Sequence, residues 1–315
     1  MKTQKTQKTQ KMKKMKKMIM IHHKNILITG IGGSAGRSAV TYFKSKSFPI
    51  IGTDVREIKR PVESFFVVPP ADDLNFTAIL MDIIRKERPS LLIPTVTEEL
   101  PVISSMKREI EWEGCNVLIS SPTAIDIAND RLKTLMIMAG HGIAVPKYCD
   151  EVTPADMIVD KLGFPLRSRP RFSRGGNNEV IYRRYEDLFD RSKEGLIFQE
   201  DITGTVYNLN MFIDKGGAIL SAVVLEKTVM KNAGGDNSFI VERVERPEIV
   251  KAGTKAAGIL NLEGPIDMDI GFRDNFTPVL LDINARLGSN VLFAWEILDC
   301  LHDAWKRSLL TGSYR

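Results

Sequence analysis

From Asn25 onward, short apolar runs alternate with longer stretches of helical period. The run Asn25-Ile-Leu-Ile-Thr29 reads as a strand buried on both faces, because its apolar residues are continuous rather than alternating. The turn Gly30-Ile-Gly-Gly-Ser-Ala-Gly36 leads into a helix to about Lys46. Phe48 to Asp54 follows as a second strand, Phe76 to Lys86 as a helix and Ser90 to Pro94 as a strand. Leu100 to Glu111 is a helix and Asn116 to Ser120 a strand. Strands alternating with helices predict a mostly parallel, doubly wound sheet, which Ser121-Pro122 closes.

The second half has a different texture. A helix is expected from Asn129 to about Gly140. Hydrophobic alternation from Val206 to Val224 predicts an antiparallel hairpin turning at Asp214-Lys-Gly-Gly217. A helix over Glu248 to Leu260 follows. Then come strands Ile266 to Phe272 and Val279 to Ile283 around the turn Arg273-Asp-Asn275, and a last helix from Asn290 to Leu310. No internal repeat is evident.

Composition changes the picture in one place. With 43% hydrophobic and 26% charged residues the chain is an ordinary globular one, with no apolar run long enough for a membrane-spanning helix. Three scattered cysteines, Cys115, Cys149 and Cys300, form no CxxC pair; they argue against structural zinc and a disulfide framework, and fit a reducing cytoplasm. The net charge of +5 comes from the N-terminus. Residues 1–24 hold nine lysines and no acid; without them 35 basic side chains face 39 acidic ones, a net of −4. A basic face for nucleic acid is therefore not expected. The repeated KTQ and KMKKM segments read as a disordered tail.

Gly30, Gly33 and Gly36 with Asp54 at the end of the next strand have the pattern of a dinucleotide site. A nicotinamide-dependent reductase is thus one alternative. It lacks a catalytic Tyr-x-x-x-Lys pair well downstream; the single such spacing, Tyr42 and Lys46, lies in the helix right after the loop.

Four motifs follow in order. They are Asn129-Asp-Arg131-Leu-Lys133 with Gly142-Ile-Ala-Val-Pro146; Gly163-Phe-Pro-Leu-Arg-Ser-Arg169-Pro170 with the loop Ser173 to Asn178; Phe198-Gln-Glu-Asp-Ile-Thr-Gly204; and Gly264-Pro-Ile-Asp-Met-Asp269 followed by Leu281-Asp-Ile-Asn-Ala-Arg286. In this order they resemble the ATP-grasp superfamily, and most nearly its carbamoyl-phosphate-synthase-like branch. The resemblance implies that Arg131 and Arg169 contact ATP phosphates, with Arg171 beside them. Ser173, Gly175 and Gly176 would belong to the phosphate loop. Gln199, Glu200, Asp201, Ile202 and Tyr207 would surround the base and sugar. Val206 stands where the family carries a ribose-binding glutamate.

Strand alternation puts Asp282 and Asn284 on one face, with Asp269 facing them from the neighbouring strand. The resemblance makes these three the metal ligands, for Mg²⁺ with Mn²⁺ as an alternative ion. It makes Arg286 and Lys227 the catalytic cations beside the transferring phosphoryl group. Gly32, Gly33, Ser34, Thr95, Glu98 and Glu99 are substrate candidates at the C-terminal ends of the first-domain strands.

The expected architecture is α/β: a Rossmann-like pre-ATP-grasp domain over 25–122, then a two-lobed α+β ATP-grasp domain over 123–315. Its small lobe would cover about 133–200 and its large lobe about 201–315. The implied activity is that of an ATP-dependent carboxylate–amine ligase acting through an acyl phosphate. One ATP-grasp unit without an amidotransferase segment favours this over a complete carbamoyl phosphate synthase. Phosphorylation of bicarbonate or carbamate, and a non-catalytic nucleotide-binding module, stay open as alternatives. The expected partners are small-molecule carboxylates and amines, not nucleic acid or membrane, with a homodimer left open and a cytoplasmic location.

Overall fold

The computed structural model describes residues 24–172, 179–188, 193–231, 237–274 and 276–311. The chain divides into two compact units, Met1–Leu118 with Leu298–Arg315, and Ile119–Ile297.

The first unit is built on a parallel sheet. Its elements run β1 (Ile26–Ile28), α1 (Ser34–Ser45), β2 (Ile50–Asp54), β3 (Ser64–Val67), α2 (Phe76–Glu87), β4 (Leu91–Ile93), α3 (Leu100–Ser105), α4 (Lys107–Trp112) and β5 (Asn116–Val117). The strand order is β3-β2-β1-β4-β5, and every pairing is parallel. The apolar runs Ile26-Leu-Ile28 and Leu91-Leu-Ile93 are buried, as strands covered on both faces require. The sequence pattern did not separate β3, and the helix expected over 100–111 breaks at Met106.

A C-terminal helix, Trp295–Thr311, joins this unit from Leu298 onward. Sequence reading had assigned all of it to the second domain. Packing explains its place: Trp305 is fully buried and its indole N–H donates to the Ser90 carbonyl at 3.1 Å. The His302 ring lies 5.2 Å from Phe48 and 5.8 Å from Phe43, and Tyr42 donates to Asp299.

The second unit holds two antiparallel sheets. It contains α5 (Pro122–Asn129), α6 (Arg131–Gly140), β6 (Tyr148–Cys149), α7 (Ala155–Leu162), β7 (Leu166–Pro170), β8 (Val180–Tyr182) and β9 (Leu196–Glu200). These continue into β10 (Tyr207–Ile213), β11 (Ile219–Lys231), β12 (Asn237–Val244), α8 (Pro247–Leu260), β13 (Gly264–Arg273) and β14 (Thr277–Asn284). The smaller sheet has the order β6-β9-β7-β8, with α7 over a core of Ile158, Leu162, Leu166, Tyr182 and Phe198. The larger has the order β12-β11-β10-β13-β14.

The hairpin β10–β11 turns where the sequence predicts, with the Asp214 carboxylate accepting from the Gly216 and Ala218 amides at 2.9 and 2.8 Å. Helix α8 packs on one face of the larger sheet. At Gly253 any Cβ would run into Leu209, so glycine sets how close that helix lies. That face is apolar: Leu209, Met211, Ile266, Met268 and Ile270 are all buried. The residues between them point the other way. Among the described residues no helix is long and apolar enough to cross a membrane.

Candidate active site

On the opposite face of the larger sheet, a block of polar residues lies across β10, β13 and β14. Two three-strand rungs run side by side. Asn208 pairs with Asp269 and Asp269 with Asp282; Asn210 pairs with Asp267 and Asp267 with Asn284. The register shifts between Asp269 and Ile270, so that Leu281 is an extra residue on β14. Without this bulge Leu281 would stand opposite Asp269; with it, Asp282 does. Of these, Asn208, Asp267, Asp269, Asp282 and Asn284 line one wall of a cavity of about 350 Å³. Lys227, Arg286, Val206, Leu281, Ser289 and Asn290, together with Arg167, Arg169 and Glu179 from the smaller sheet, complete the lining.

A hydrogen-bond network holds the wall. The Asn208 amide donates to Asp267 at 2.6 Å and to Asp269 at 3.2 Å. Asn210 donates to the Asn208 oxygen at 2.9 Å, and Asn284 to Asp267 at 3.3 Å. Asp267 is the most buried acid of the group. Burial, and then the neighbouring Asp269 carboxylate, push its carboxyl up to about 6, while Arg286 pulls the other way. Gly288 closes against this pair: a Cβ there would overlap the Asp267 carboxylate and the Asn210 oxygen.

Each acid has a cation. Arg286 donates to the Asn284 oxygen at 3.1 Å and to the Leu287 carbonyl at 2.7 Å, and lies 3.8 Å from Asp267. Lys227 is 3.4 Å from Asp269. One oxygen of Asp282 accepts from Arg131 at 2.9 Å and from Arg169 at 3.4 Å. All three of these groups are nearly out of water, with side-chain exposures of 5% for Arg131, 11% for Arg169 and 14% for Asp282. Arg169 also donates to Glu179 at 2.7 Å, and Arg167 donates to Asp201 at 2.8 Å and to Glu179 at 3.1 Å.

The start of α6 is fixed by Asp130, which the sequence reading passed over. Its carboxylate caps the helix by accepting the Lys133 amide at 3.2 Å. It also accepts two bonds from Arg171, at 2.8 and 2.7 Å. Burial alone would raise the Asp130 carboxyl, but the hydrogen bonds from Arg171 and the Lys133 amide outweigh it and hold it below the ordinary carboxylate range. The Arg131 guanidinium donates to the Pro170 carbonyl at 2.8 Å, so the helix start and the end of β7 are joined twice.

The structure gathers Arg131, Arg169, Lys227, Asp269, Asp282, Asn284 and Arg286 at one place. It puts others elsewhere. Arg171 is spent on Asp130. Tyr207 falls on the apolar face of β10, where its hydroxyl accepts from Arg246 at 2.7 Å and its ring packs edge-on against Phe272. Glu200 accepts from the Lys147 amide at 3.0 Å and is ion-paired with Arg273. Asp201 holds Arg167, and Ile202 packs on Gly271. Gln199 is buried, and its amide nitrogen has no partner among the described residues. Ser173, Gly175 and Gly176 lie outside the described residues, as do residues 1–23 of the basic tail.

In the first unit, Gly32 donates to Asp54 at 2.9 Å, and Arg56 donates to the other oxygen at 3.2 Å. The acid that a dinucleotide ribose would need is thus engaged by its own loop. Ser34 accepts from Arg37 at 3.0 Å, and any Cβ at Gly33 would crowd the Gly30 carbonyl. Thr95 is buried and cross-links the ends of β4 and β1 through its hydroxyl, which donates to the Thr29 carbonyl at 2.7 Å. Glu99 is buried while Glu98 is exposed, so Glu98 is the one of the pair open to a solute.

The residues missed by sequence reading are Asn208, Asn210 and Asp267, along with Asp130, Arg167 and Glu179. Asn208 and Asn210 were visible as polar residues two apart in an otherwise apolar strand, and Asp267 as the same-face neighbour of Asp269.

The donor set suits a hard divalent cation. Asp269, Asp282 and Asn284 offer two carboxylates and an amide oxygen. Among the described residues no three His, Cys, Asp or Glu side chains are grouped to hold a metal alone. The set therefore fits an ion that draws its remaining ligands from phosphate oxygens and water.

No protein-family model matches the chain. Its sequence is similar to carbamoyl phosphate synthase large chains. It is 32% identical to that of Rubrobacter xylanophilus over 111 residues, covering 35% of this chain and 10% of the relative. Against Pseudomonas syringae it is 31% identical over 148 residues, 42% of this chain and 14% of the relative. Against Saccharolobus islandicus it is 21% identical over 238 residues, 71% of this chain and 22% of the relative. The matched parts thus span 10% to 22% of the relatives' length.

Among solved structures, N5-carboxyaminoimidazole synthetase from Staphylococcus aureus, complexed with ADP, matches with a TM-score of 0.71 at 15% identity, covering 90% of this chain and 77% of that one. L-amino acid ligase from Bacillus licheniformis gives 0.69 at 14%, covering 93% and 76%. D-alanine–D-alanine ligase from Bacillus anthracis gives 0.62 at 15%, covering 92% and 99%. The fold is that of the ATP-grasp ligases. The sequence likeness, over part of the chain, is to the carbamoyl phosphate synthase large chain.

Proposed function

We propose that the chain is an ATP-dependent carboxylate–amine ligase that works through an acyl phosphate. The observation that carries this reading is the wall of Asp267, Asp269, Asp282 and Asn284 with Arg169, Lys227 and Arg286 around one cavity, Arg131 being bonded to Asp282. Arg131 and Arg169 hold the nucleotide phosphates. Asp269, Asp282 and Asn284 would hold a Mg²⁺ ion, which would supply charge neutralisation for the nucleotide phosphates. Glu200 is already engaged by Arg273 and the Lys147 amide, and its own amide donates to the Lys147 carbonyl at 3.0 Å, which leaves the main chain of Asp201 and Ile202 to read the base. Val206 lines the cavity and offers the sugar hydroxyls no acceptor.

In the first step a carboxylate oxygen of the substrate attacks the γ-phosphorus. The bond from that phosphorus to the β,γ-bridging oxygen breaks, and ADP leaves with the electron pair. Arg286 and Lys227 stabilise the charge on the moving phosphoryl group. In the second step an amine nitrogen attacks the acyl carbon. The bond from carbon to the phosphate oxygen breaks, inorganic phosphate leaves, and the amine gives up a proton. The protein's work is positioning and charge stabilisation.

The sequence likeness to carbamoyl phosphate synthase favours a second reading, in which bicarbonate or carbamate is the phosphate acceptor. A screen of carboxylates with and without amines, reading ADP release, separates the two. Bicarbonate-dependent ADP release without any organic acid selects the second. With ¹⁸O in an organic carboxylate, one label in the released phosphate supports the first. Formation of AMP and pyrophosphate, or stabilisation by NADH and not by Mg-ATP, would sink both.

A further inference from the structure

Asp282 has two claims on it. It is a ligand in the proposed metal site, and it is the counter-ion of Arg131 and Arg169, the proposed phosphate contacts. With all three nearly excluded from solvent, the Asp282 oxygen that both guanidinium groups share, Oδ2, cannot also serve a metal while they are bound to it. The guanidinium groups in turn cannot leave without another anion to meet, because an unpaired buried charge is strongly disfavoured. Lys227 and Asp269 repeat the arrangement more weakly, at 3.4 Å and with both partners about a third exposed.

Resting on the ligase reading above, we propose that the Asp282–Arg131–Arg169 cluster is an exchange lock that makes a divalent cation and a nucleotide polyphosphate bind as one coupled pair. A cation alone must compete with two arginines for Asp282. A polyphosphate alone must pull the same arginines from a carboxylate that then has no cation. When both arrive, the cation takes Asp282, the phosphates take the arginines, and every charge is met. Arg131 makes the shorter bond to Asp282, 2.9 against 3.4 Å, and so carries the larger share of the lock. The Pro170 carbonyl keeps one bond to Arg131 in either arrangement.

The test measures Mn²⁺ binding to the full chain by the loss of the free-ion electron paramagnetic resonance signal, without nucleotide and with saturating ADP. Direct contact between metal and phosphate couples the two ligands in any such site, so the decisive reading is the metal alone. In Arg131→Gln the competitor for Asp282 is gone. Mn²⁺ without ADP should bind at least fivefold tighter than in the wild-type chain. The enhancement by ADP should shrink, and by linkage the enhancement of ADP binding by Mn²⁺ should shrink by the same factor. Arg169→Gln should do the same to a smaller extent, and stands in should the first variant fail to fold. An arginine that only touched phosphate would weaken ADP binding and leave metal-only binding unchanged. That outcome, in folded variants of both arginines, would overturn the lock while leaving the ligase reading in place. If wild-type protein bound no Mn²⁺ even with ADP, both would fall.

Discussion

The substitution Asp282→Asn exposes the energetics of the site most directly. It keeps the shape and one neutral acceptor but removes the charge that faces Arg131 at 2.9 Å and Arg169 at 3.4 Å. Breaking a buried ion pair by removing one partner costs about 3–5 kcal/mol. Here the amide oxygen still accepts a hydrogen bond and Arg169 retains Glu179, so the cost falls to about 2–3 kcal/mol by the same reasoning. For a unit of this size each kcal/mol moves the melting temperature by about 2–4 °C, which predicts a fall of about 4–12 °C. Scanning calorimetry of ligand-free protein measures it, with the exposed Asp72→Asn as the control for simple charge loss. Ligand binding should cross over. Without metal, in chelator, the variant should bind ADP more tightly than wild type, since two arginines are released. With Mg²⁺ it should bind ADP less tightly and turn over no substrate. A melting temperature within 1 °C of wild type would show that solvent already screens the pair, and the burial argument would fail.

Three further outcomes are expected. Arg171→Ala should destabilise the protein more than Asp130→Asn, in urea unfolding: Arg171 is 32% exposed and can be rehydrated, whereas Asp130 is 1% exposed and would be left as a buried charge. The reverse order would show that solvent reaches the unpaired Asp130, and the burial argument would fail there. Gly288→Ala forces a methyl group against Asp267 and Asn210 and should cost about 1–3 kcal/mol and weaken Mg-ADP binding together; unchanged affinity by titration calorimetry would place that wall outside the site. His302 is held well below its ordinary value, at about 4, first by burial and then by Lys306 and Lys46, against Asp303 and Asp299. The unfolded chain therefore takes up a proton near pH 6.5 that the folded chain refuses, and stability falls as the pH drops from about 6.5 to 4, by at most about 3 kcal/mol. His302→Leu should flatten that part of the urea-stability profile, and an unchanged slope would assign it to other groups.

The parallel sheet of the first unit was legible because its strands are unbroken apolar runs, and a strand buried on both faces has no other way to be written. The hairpin at Asp214 was legible from its turn chemistry. What the sequence hid is what depends on pairing between distant segments. The bulge at Leu281 decides that Asp282 stands opposite Asp269, and nothing local marks it. The acid pair Asp267 and Asp269 is spaced for one face, but Asp267 acquires its role only when Asn208 and Asn210 arrive from β10. Tyr207 illustrates the converse. It adjoins the motif residues along the chain, yet strand alternation turns it to the apolar face. The C-terminal helix was read correctly as a helix, but its partners Ser90, Tyr42 and Phe48 lie more than two hundred residues earlier.

The charge balance of the cavity connects these points to function. Among the described residues its lining carries four cations, Arg167, Arg169, Lys227 and Arg286, and four acids, Glu179, Asp267, Asp269 and Asp282. Charges balanced in this way give little long-range attraction for either a bare metal ion or a bare polyanion. Selectivity must then come from short-range exchange of partners, in which a ligand of mixed charge replaces pairs already made. A metal–nucleotide complex is such a ligand, because its cation and its phosphates answer the acids and the arginines at once. On the proposed reading, the wall whose buried charges pair with one another would be matched to the complex and not to its parts. That is the property an enzyme needs if its phosphoryl donor is to enter only with the metal that activates it.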